Sequence, residues 1–199
     1  MECENTAAVA LYEKQGFRTE GLRRETMNVN GKMRDEYSMA RLLNTEQPEG
    51  SPFSPEALIS FRLEANRNTY AAKKNETAPT RPGSHDFRYE KGPWTYHDTY
   101  VGGTCFAGQE AIWYRGTCVY AMNYSGRVTG EDFSGDFLKR ALLAAGPELP
   151  YRGPAEYREA DDLYRCSVCG STDQFQGREE ILHQGKPVYD CVFHGGRME

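Results

Sequence analysis

A pattern of glycine, aromatic and β-branched residues occurs twice in this chain, and it constrains the fold more than any other feature of the sequence. Eight residues recur unchanged at a single offset of 69 positions, and a ninth changes only from tyrosine to phenylalanine. The nine pairs are Phe106/Phe175, Gly108/Gly177, Glu110/Glu179, Ile112/Ile181, Gly116/Gly185, Val119/Val188, Tyr120/Tyr189, Tyr124/Phe193 and Gly126/Gly195. Apolar residues at every second position are typical of half-buried strands. Each copy is therefore predicted to form a β-hairpin, turning near Arg115–Gly116 or Gln184–Gly185, and the two hairpins to complete one sheet or open barrel.

The remaining sequence predicts helices and a linker around these hairpins. Residues 44–54 are rich in Pro, Gly, Ser and Glu, which is typical of a linker. Ser54 and Pro55 form a good helix start, because a hydroxyl can cap free N–H groups and proline needs no donor there. That helix is predicted to run to about Lys74, and a second one to cover residues 132–145, between the two copies.

These elements predict an α+β fold with three parts. Residues 1–43 form a helix and a hairpin, residues 44–54 a linker, and residues 55–196 a mainly antiparallel β domain with two helices. The repeat within that domain covers about 96–126 and 165–195.

Composition excludes several classes of function. The net charge is −5 and no long run of Lys or Arg occurs, so we do not expect nucleic-acid binding. No stretch approaches the roughly 20 apolar residues that span a bilayer, and the acidic start Met1–Glu4 is unlike a signal peptide. A cytoplasmic protein without a membrane partner is predicted. Its six cysteines would then be free thiols or metal ligands.

The first forty residues carry a family resemblance. A helix is predicted from Asn5 to Gln15 with Gly16 at its end, and Asn30–Gly31 is a strong hairpin signal. The residues concerned are Asn5, Ala8, Leu11, Tyr12, Glu13, Lys14, Gly16, Phe17, Glu20, Gly21, Asn30, Gly31, Asp35, Met39, Ala40, Leu42 and Leu43. Together they resemble the C-terminal part of Gcn5-related N-acetyltransferases. The resemblance implies that Asn5 contacts coenzyme A and that Tyr12 is the general acid that protonates the departing thiolate.

The part of that family that binds acetyl-CoA is a glycine-rich turn at a helix N-terminus, which holds the pyrophosphate. It precedes the helix seen here, and the chain begins four residues before Asn5, so we expect this half to be missing. Acetyl-CoA would be a cofactor only if the missing half were supplied. Self-association through the N-terminal segment is one possible arrangement.

Residues 56–196 resemble a second family. The motifs are Thr99–Tyr100-x-Gly102–Gly103, Met122–Asn123–Tyr124, Tyr151–Arg152–Gly153–Pro154 and Phe193–His194–Gly195–Gly196. They are similar to a bacterial family of unknown function whose members often follow a helix-turn-helix domain in transcription regulators. The resemblance implies a shared fold and a sensor role.

Tyrosines indicate a candidate ligand pocket. Eleven of the thirteen tyrosines lie between Tyr70 and Tyr189. Aromatic and polar side chains that share a cavity suit a small organic ligand. The candidate ligand-binding residues are Trp94, Tyr100, Glu110, Asn123 and Glu179. The two glutamates occupy equivalent positions and could act as acid and base in one cavity, or each could pair with an arginine.

The spacing of Cys166, Cys169, Cys191 and His194 is typical of a zinc ribbon. These residues are the candidate metal ligands, and buried or half-exposed thiols are the alternative. The leading hypothesis is a small-ligand binding or sensing domain of unknown specificity fused to an incomplete acetyltransferase tail. An N-acyltransferase that uses acetyl-CoA and a small zinc-binding module are the alternatives.

Overall fold

The chain forms two compact units, residues 1–52 and 53–199. The computed structural model describes residues 5–15, 17–29, 31–40 and 52–198. In the first unit, helix α1 (Thr6–Lys14) precedes strands β1 (Arg18–Val29) and β2 (Lys32–Ala40), which pair antiparallel.

Local side chains explain the ends of these elements. The side-chain oxygen of Asn5 accepts a hydrogen bond of 3.0 Å from the N–H of Ala8, which caps α1. Gly31 turns between β1 and β2 with φ of 81°, where glycine is favoured. Its predicted turn partner Asn30 lies outside the described residues, as do Gly16 and most of the predicted linker.

The second unit is one sheet with two α-helices. It begins with α2 (Pro55–Asn66) and a short 3₁₀ helix (Tyr70–Ala72). Then come β3 (Glu76–Thr77), β4 (Ser84–Lys91), β5 (Trp94–Gly102), β6 (Cys105–Tyr114), β7 (Thr117–Val128), α3 (Gly135–Leu143), β8 (Glu156–Glu159), β9 (Asp162–Gly170), β10 (Phe175–His183) and β11 (Lys186–Arg197). The nine strands are antiparallel in the order β3-β4-β5-β6-β7-β11-β10-β9-β8.

The repeat forms the two central hairpins, β6–β7 and β10–β11. Both turn at the predicted residues, with positive φ at Arg115, Gly116, Gln184 and Gly185, as tight hairpin turns require. Strands β7 and β11 lie side by side, and we call their junction the seam. It divides the sheet into two halves, each of which contains one copy of the repeat. The repeat therefore gives the sheet an approximate twofold symmetry.

One face of the sheet is covered by α2 and α3. Leu58 and Phe61 of α2 are buried, as are Phe137 and Ala141 of α3, and all four belong to the main apolar core. Burying each large side chain of this kind stabilises the fold by about 1.5–3 kcal/mol. The opposite face is free to carry polar residues, such as Asn123.

The prediction of an α+β fold with an acetyltransferase helix–hairpin segment was wrong, because the described ranges contain eleven strands and only three α-helices. The sheet extends beyond the repeated hairpins on both sides. Helix α2, which was predicted to run to about Lys74, is shorter than predicted. Asn68 and Thr69 donate side-chain hydrogen bonds to the carbonyls of Glu64 and Ala65, and α2 ends at Asn66. None of the helices within the described ranges has the length and apolar content needed to cross a bilayer.

Candidate functional site

The two repeated glutamates are both buried and bind side chains of the same kinds. Glu179 is fully buried and accepts hydrogen bonds from the hydroxyls of Tyr164 (2.6 Å) and Tyr189 (2.8 Å). Arg152 donates to it from Nη2 at 2.9 Å. Charged and neutral donors together satisfy this carboxylate, which a buried charge requires.

Glu110 has a matching environment in the first copy. The hydroxyl of Tyr96 donates to it at 3.1 Å, and Arg62 of α2 donates from Nη2 at 3.1 Å. Tyr96 occupies the place that Tyr164 holds in the second copy. The glutamate of each copy therefore lies in a buried cluster with a tyrosine and with an arginine from outside the repeat.

The loop between α3 and β8 links the two clusters. Arg62 also donates hydrogen bonds to the carbonyls of Pro150 and Tyr151, which are the two residues before Arg152. The arginine that pairs with Glu110 thus holds the loop from which Arg152 reaches Glu179. This arrangement fixes the guanidinium of Arg152 at one position on the covered face of the sheet.

A cavity of about 250 Å³ lies next to this arginine. Its aromatic walls are Tyr70, Tyr100, Phe106, Tyr124, Phe133 and Tyr189. Arg152 and Asp98 provide charged groups in its lining, and the guanidinium carbon of Arg152 lies 4.8 Å from the ring centre of Tyr124. An apolar concave site with a few convergent polar groups is the usual form of a small-molecule site.

Asp98 is the carboxyl group in the lining of this cavity, which also includes His85, paired with Glu76 at 3.0 Å. Asp98 is buried and accepts a 2.6 Å hydrogen bond from the hydroxyl of Tyr124, and its backbone partner on β6 is Glu110. Burial and the charge of Glu110 raise the pKa of Asp98 to about 7, although Tyr124 and the arginines oppose the shift. The carboxyl group can therefore gain or lose a proton near neutral pH.

Arg152 keeps its charge despite burial. Burial disfavours the charged guanidinium, but the carboxylate of Glu179 outweighs that effect and raises the pKa of Arg152 well above its usual value. Burial also raises the pKa of Tyr100 to about 12, so this phenol remains a hydrogen-bond donor at neutral pH. The cavity thus contains one permanent cation and at least one neutral phenol.

The second copy of the repeat is an internal comparison for these residues. Cys166 takes the place of Asp98 as the β9 partner of the repeated glutamate, and Phe193 takes the place of Tyr124. The fold is thus compatible with a thiol and an unsubstituted ring at these positions. The acid and the hydroxyl of the first copy are therefore not required by the architecture alone.

One of the five predicted ligand-binding residues lines the cavity, and two others lie next to residues that line it. Tyr100 lines the cavity, Glu110 lies beside Asp98, and Glu179 binds Arg152. Trp94 instead stacks on Phe61 at 5.2 Å in the core. Asn123 lies on the opposite face of the sheet, where it accepts a 3.0 Å hydrogen bond from Gln109.

Sequence reasoning missed Asp98, Tyr124, Arg152 and Tyr70 as site residues. Strand alternation puts Asp98 on the same face as Tyr100, so periodicity could have identified it. Arg152 lies in a loop, and no local pattern relates it to Glu179. Its approach to that carboxylate could be found only from the tertiary structure.

The four predicted metal ligands divide between the two faces of the sheet. Cys166 and Cys191 are buried on the two strands flanking Glu179 and pair with it in register. Cys169 and His194 pair with Gln176 and lie on the other face. Among the residues that the structure describes, no group of three or more metal-ligating side chains is close enough to hold an ion.

The residues singled out by the acetyltransferase resemblance have local roles in the first unit. Asn5 caps α1 through its side chain. Tyr12 is 45% exposed, and its ring meets that of Phe17 edge-on at 5.3 Å. Catalysis by Tyr12 and coenzyme A binding by Asn5 stay predictions.

Comparison with known proteins identifies one family. A family model described as Domain of unknown function (DUF5680) matches residues 98–198, which supports the unknown-function part of the resemblance. The acetyltransferase resemblance of residues 1–43 receives no such support. No curated protein and no solved structure matches the chain. Since the match takes in 101 of the 199 residues, just over half, the chain belongs to the family described as Domain of unknown function (DUF5680).

Proposed function

We propose that the second unit binds a small planar organic molecule in the cavity lined by Tyr100, Tyr124 and Arg152. The observation that carries this proposal is the combination of aromatic walls with charged groups held in place by buried partners. A cavity of about 250 Å³ suits a ligand of metabolite size. We include a sensing role in the proposal because the family resemblance of residues 56–196 implies one.

The shape of the walls favours a flat ligand. Tyr189 stacks against Phe106 with ring centres 6.0 Å apart, and against Phe133 with centres 5.3 Å apart. These rings already stack on one another and hold each other in place, and a flat ligand ring can add to such a set by offset or edge-on contact at the cavity wall. Arg152 supplies a fixed donor for a polar substituent on that ring.

A thermal-shift and NMR titration with phenol, indole, benzamide and benzoate tests the proposal. A ligand at about a hundred times its dissociation constant adds about 2.7 kcal/mol, which raises the melting temperature by several degrees. Bound probes should change the amide signals of Tyr100, Tyr124 and Arg152.

A pair of matched variants locates the site. Val128 lines the cavity, whereas Val192 is 56% exposed on the other face of the sheet. We expect Val128→Phe to fill part of the cavity and to abolish binding, and Val192→Phe to leave it unchanged. Lack of binding of every probe to the wild-type protein, or equal binding to both variants, would contradict the proposal.

A further inference from the structure

Three groups in the cavity lining can donate a hydrogen bond and have no partner within the described part of the chain. The hydroxyls of Tyr70 and Tyr100 and the Nη1 group of Arg152 make no hydrogen bond to any of the residues that the structure describes. Asp98 is the carboxyl group among the lining residues, and one of its oxygens already accepts from Tyr124. A ligand that provides acceptors would satisfy these donors, and a carboxylate provides the most acceptor sites for its size.

The charges around the cavity nearly cancel without a ligand. Glu110 neutralises Arg62, and Glu179 neutralises Arg152. His85 on β4 also lines the cavity, and its Nδ1 lies 3.0 Å from the carboxylate of Glu76, so a proton on His85 has a counter-charge beside it. Asp98 is therefore the lining group whose charge has no such partner of opposite sign. Groups that face it are Glu110 on β6, Tyr124 on β7, Arg62 on α2, Arg152 on the loop after α3, Tyr70 on the 3₁₀ helix, and Tyr96 and Tyr100 on its own strand.

An ionised Asp98 and an anionic ligand would repel each other in this buried site. A proton on Asp98 removes the repulsion, and the carboxyl oxygen that does not accept from Tyr124 then becomes a further donor. Because burial and Glu110 already raise the pKa of Asp98 to about 7, protonation at neutral pH requires little free energy.

We propose that the cavity binds a small aromatic carboxylate together with one proton, with Arg152, Tyr70 and Tyr100 donating to the ligand and Asp98 holding the proton. This inference rests on the proposed function and adds the charge of the ligand. The second copy agrees with it, since Cys166 replaces the acid there while the buried glutamate and tyrosine remain. The acid at this position occurs in the first copy only, so Asp98 is specific to the cavity and is not part of the structure that both copies share.

Three probes of the same shape test the charge. Benzoate, benzamide and benzamidine are anionic, neutral and cationic, and their affinities for the full-length protein can be measured by NMR titration at pH 6. We expect benzoate to bind at least tenfold more tightly than either of the others. Tighter binding of benzamide or benzamidine would overturn the inference while leaving the proposed function intact. Failure of all three probes and of the wider panel would overturn both.

The proton is tested by the pH dependence of benzoate binding. With the pKa of Asp98 near 7, the dissociation constant should rise about tenfold between pH 6 and pH 8, because binding then requires proton uptake. Calorimetry in phosphate and in Tris should give different heats in proportion to the protons taken up.

The matched variant is Asp98→Asn, whose amide oxygen can still accept from Tyr124. It should bind benzoate equally well at pH 6 and pH 8, and its circular dichroism spectrum should match that of the wild-type protein. An unchanged dissociation constant in the wild-type protein across this pH range would overturn proton coupling. A tenfold change that persists in Asp98→Asn would assign the proton to another group and would also overturn the proposal.

Discussion

Tyr124 and Phe193 occupy equivalent positions in the two copies of the repeat, and they also face each other directly across the seam between β7 and β11. The approximate twofold axis of the sheet therefore passes between them. Each ring lies against a glycine of its own copy, Gly108 or Gly177. The difference between the two is the hydroxyl of Tyr124, which donates to Asp98 at 2.6 Å.

The first prediction concerns Tyr124→Phe, which gives the first copy the ring that the second already has. The variant should fold and lose about 0.5–1.5 kcal/mol of unfolding free energy with the hydrogen bond. Because the hydroxyl lowers the pKa of Asp98, its removal should raise that pKa above the wild-type value of about 7. Carboxyl carbon NMR measures it directly. Tyr157→Phe is the control, because the hydroxyl of Tyr157 donates to Glu159 and not to Asp98, and it should leave the pKa of Asp98 unchanged.

An unaltered pKa of Asp98 in Tyr124→Phe would contradict the argument.

The second prediction concerns the pH dependence of stability. The pKa of Asp98 is about 7 in the folded protein, whereas an unperturbed aspartate has a pKa of 3.8. The folded state therefore binds the proton more tightly than the unfolded state does. The contribution of Asp98 to stability is complete below about pH 4 and is lost as pH rises through about 7. The unfolding free energy of the wild-type protein relative to Asp98→Asn should fall by about 2–3 kcal/mol between pH 5 and pH 8.

Urea denaturation at several pH values measures this difference. Groups that titrate in both proteins, such as the hydrogen-bonded Asp86, cancel in the comparison. A difference that is the same at pH 5 and pH 8 would show that the carboxyl of Asp98 does not titrate in this range.

The sequence predicts the central hairpins well and the outer parts of the sheet poorly, for a physical reason. The hairpin turns depend on local residues, since glycine at Gly116 and Gly185 allows the backbone angles that tight turns need. The end of α2 depends on side-chain hydrogen bonds of Asn68 and Thr69 that compete with helix formation, and composition does not reveal them.

The candidate site is predictable to the same limited degree. The repeat draws attention to Glu110 and Glu179, and their shared burial follows from their position on the covered face. The partners of these carboxylates lie far away in the sequence, with Arg62 separated from Glu110 by 48 residues. Such pairings depend on the packing of α2 and of the loop before β8, which no local pattern determines.

The third prediction concerns the pair of Arg152 and Glu179. Glu179→Gln leaves Arg152 buried without its counter-charge, which should destabilise the protein by about 3–5 kcal/mol. The exposed pair of Arg158 and Glu156 is the control, and Glu156→Gln should cost less than about 1 kcal/mol. Chemical denaturation provides both values.

A double-mutant cycle separates the pair from its surroundings. Arg152→Met combined with Glu179→Met should be less destabilising than the sum of the two single changes, because neither charge is then left alone. Additive costs, or a cost of Glu179→Gln no greater than that of Glu156→Gln, would contradict the pairing.

The fourth prediction concerns the cysteines and the zinc hypothesis. Cys105 and Cys169 are exposed, whereas burial raises the pKa of Cys166 to about 11 and that of Cys191 to about 12. Since the thiolate is the reactive form, iodoacetamide should label Cys105 and Cys169 far faster than the buried pair, as read by peptide mass spectrometry. If zinc bound the four predicted ligands, adding it would protect Cys169 but not Cys105. Because the four predicted ligands lie on two opposite faces of the sheet, we expect equal labelling of Cys169 with and without zinc.

The fifth prediction tests why glycine occurs at position 108 and again at position 177. A Cβ atom at Gly177 would overlap the ring of Phe193 and would lie 2.8 Å from the carbonyl oxygen of Ser167, so neither the core nor the sheet backbone leaves room for it. Gly177→Ala should therefore lower the unfolding free energy by about 1–3 kcal/mol. Gly146→Ala is the matched control, since nothing lies within 4 Å of its Cβ position and the added methyl should be neutral or slightly stabilising.

Phe193→Leu in the same chain should recover part of the loss at Gly177, because it removes the ring atoms that the methyl meets. Strictly additive costs for the two changes would show that the glycine is required for another reason.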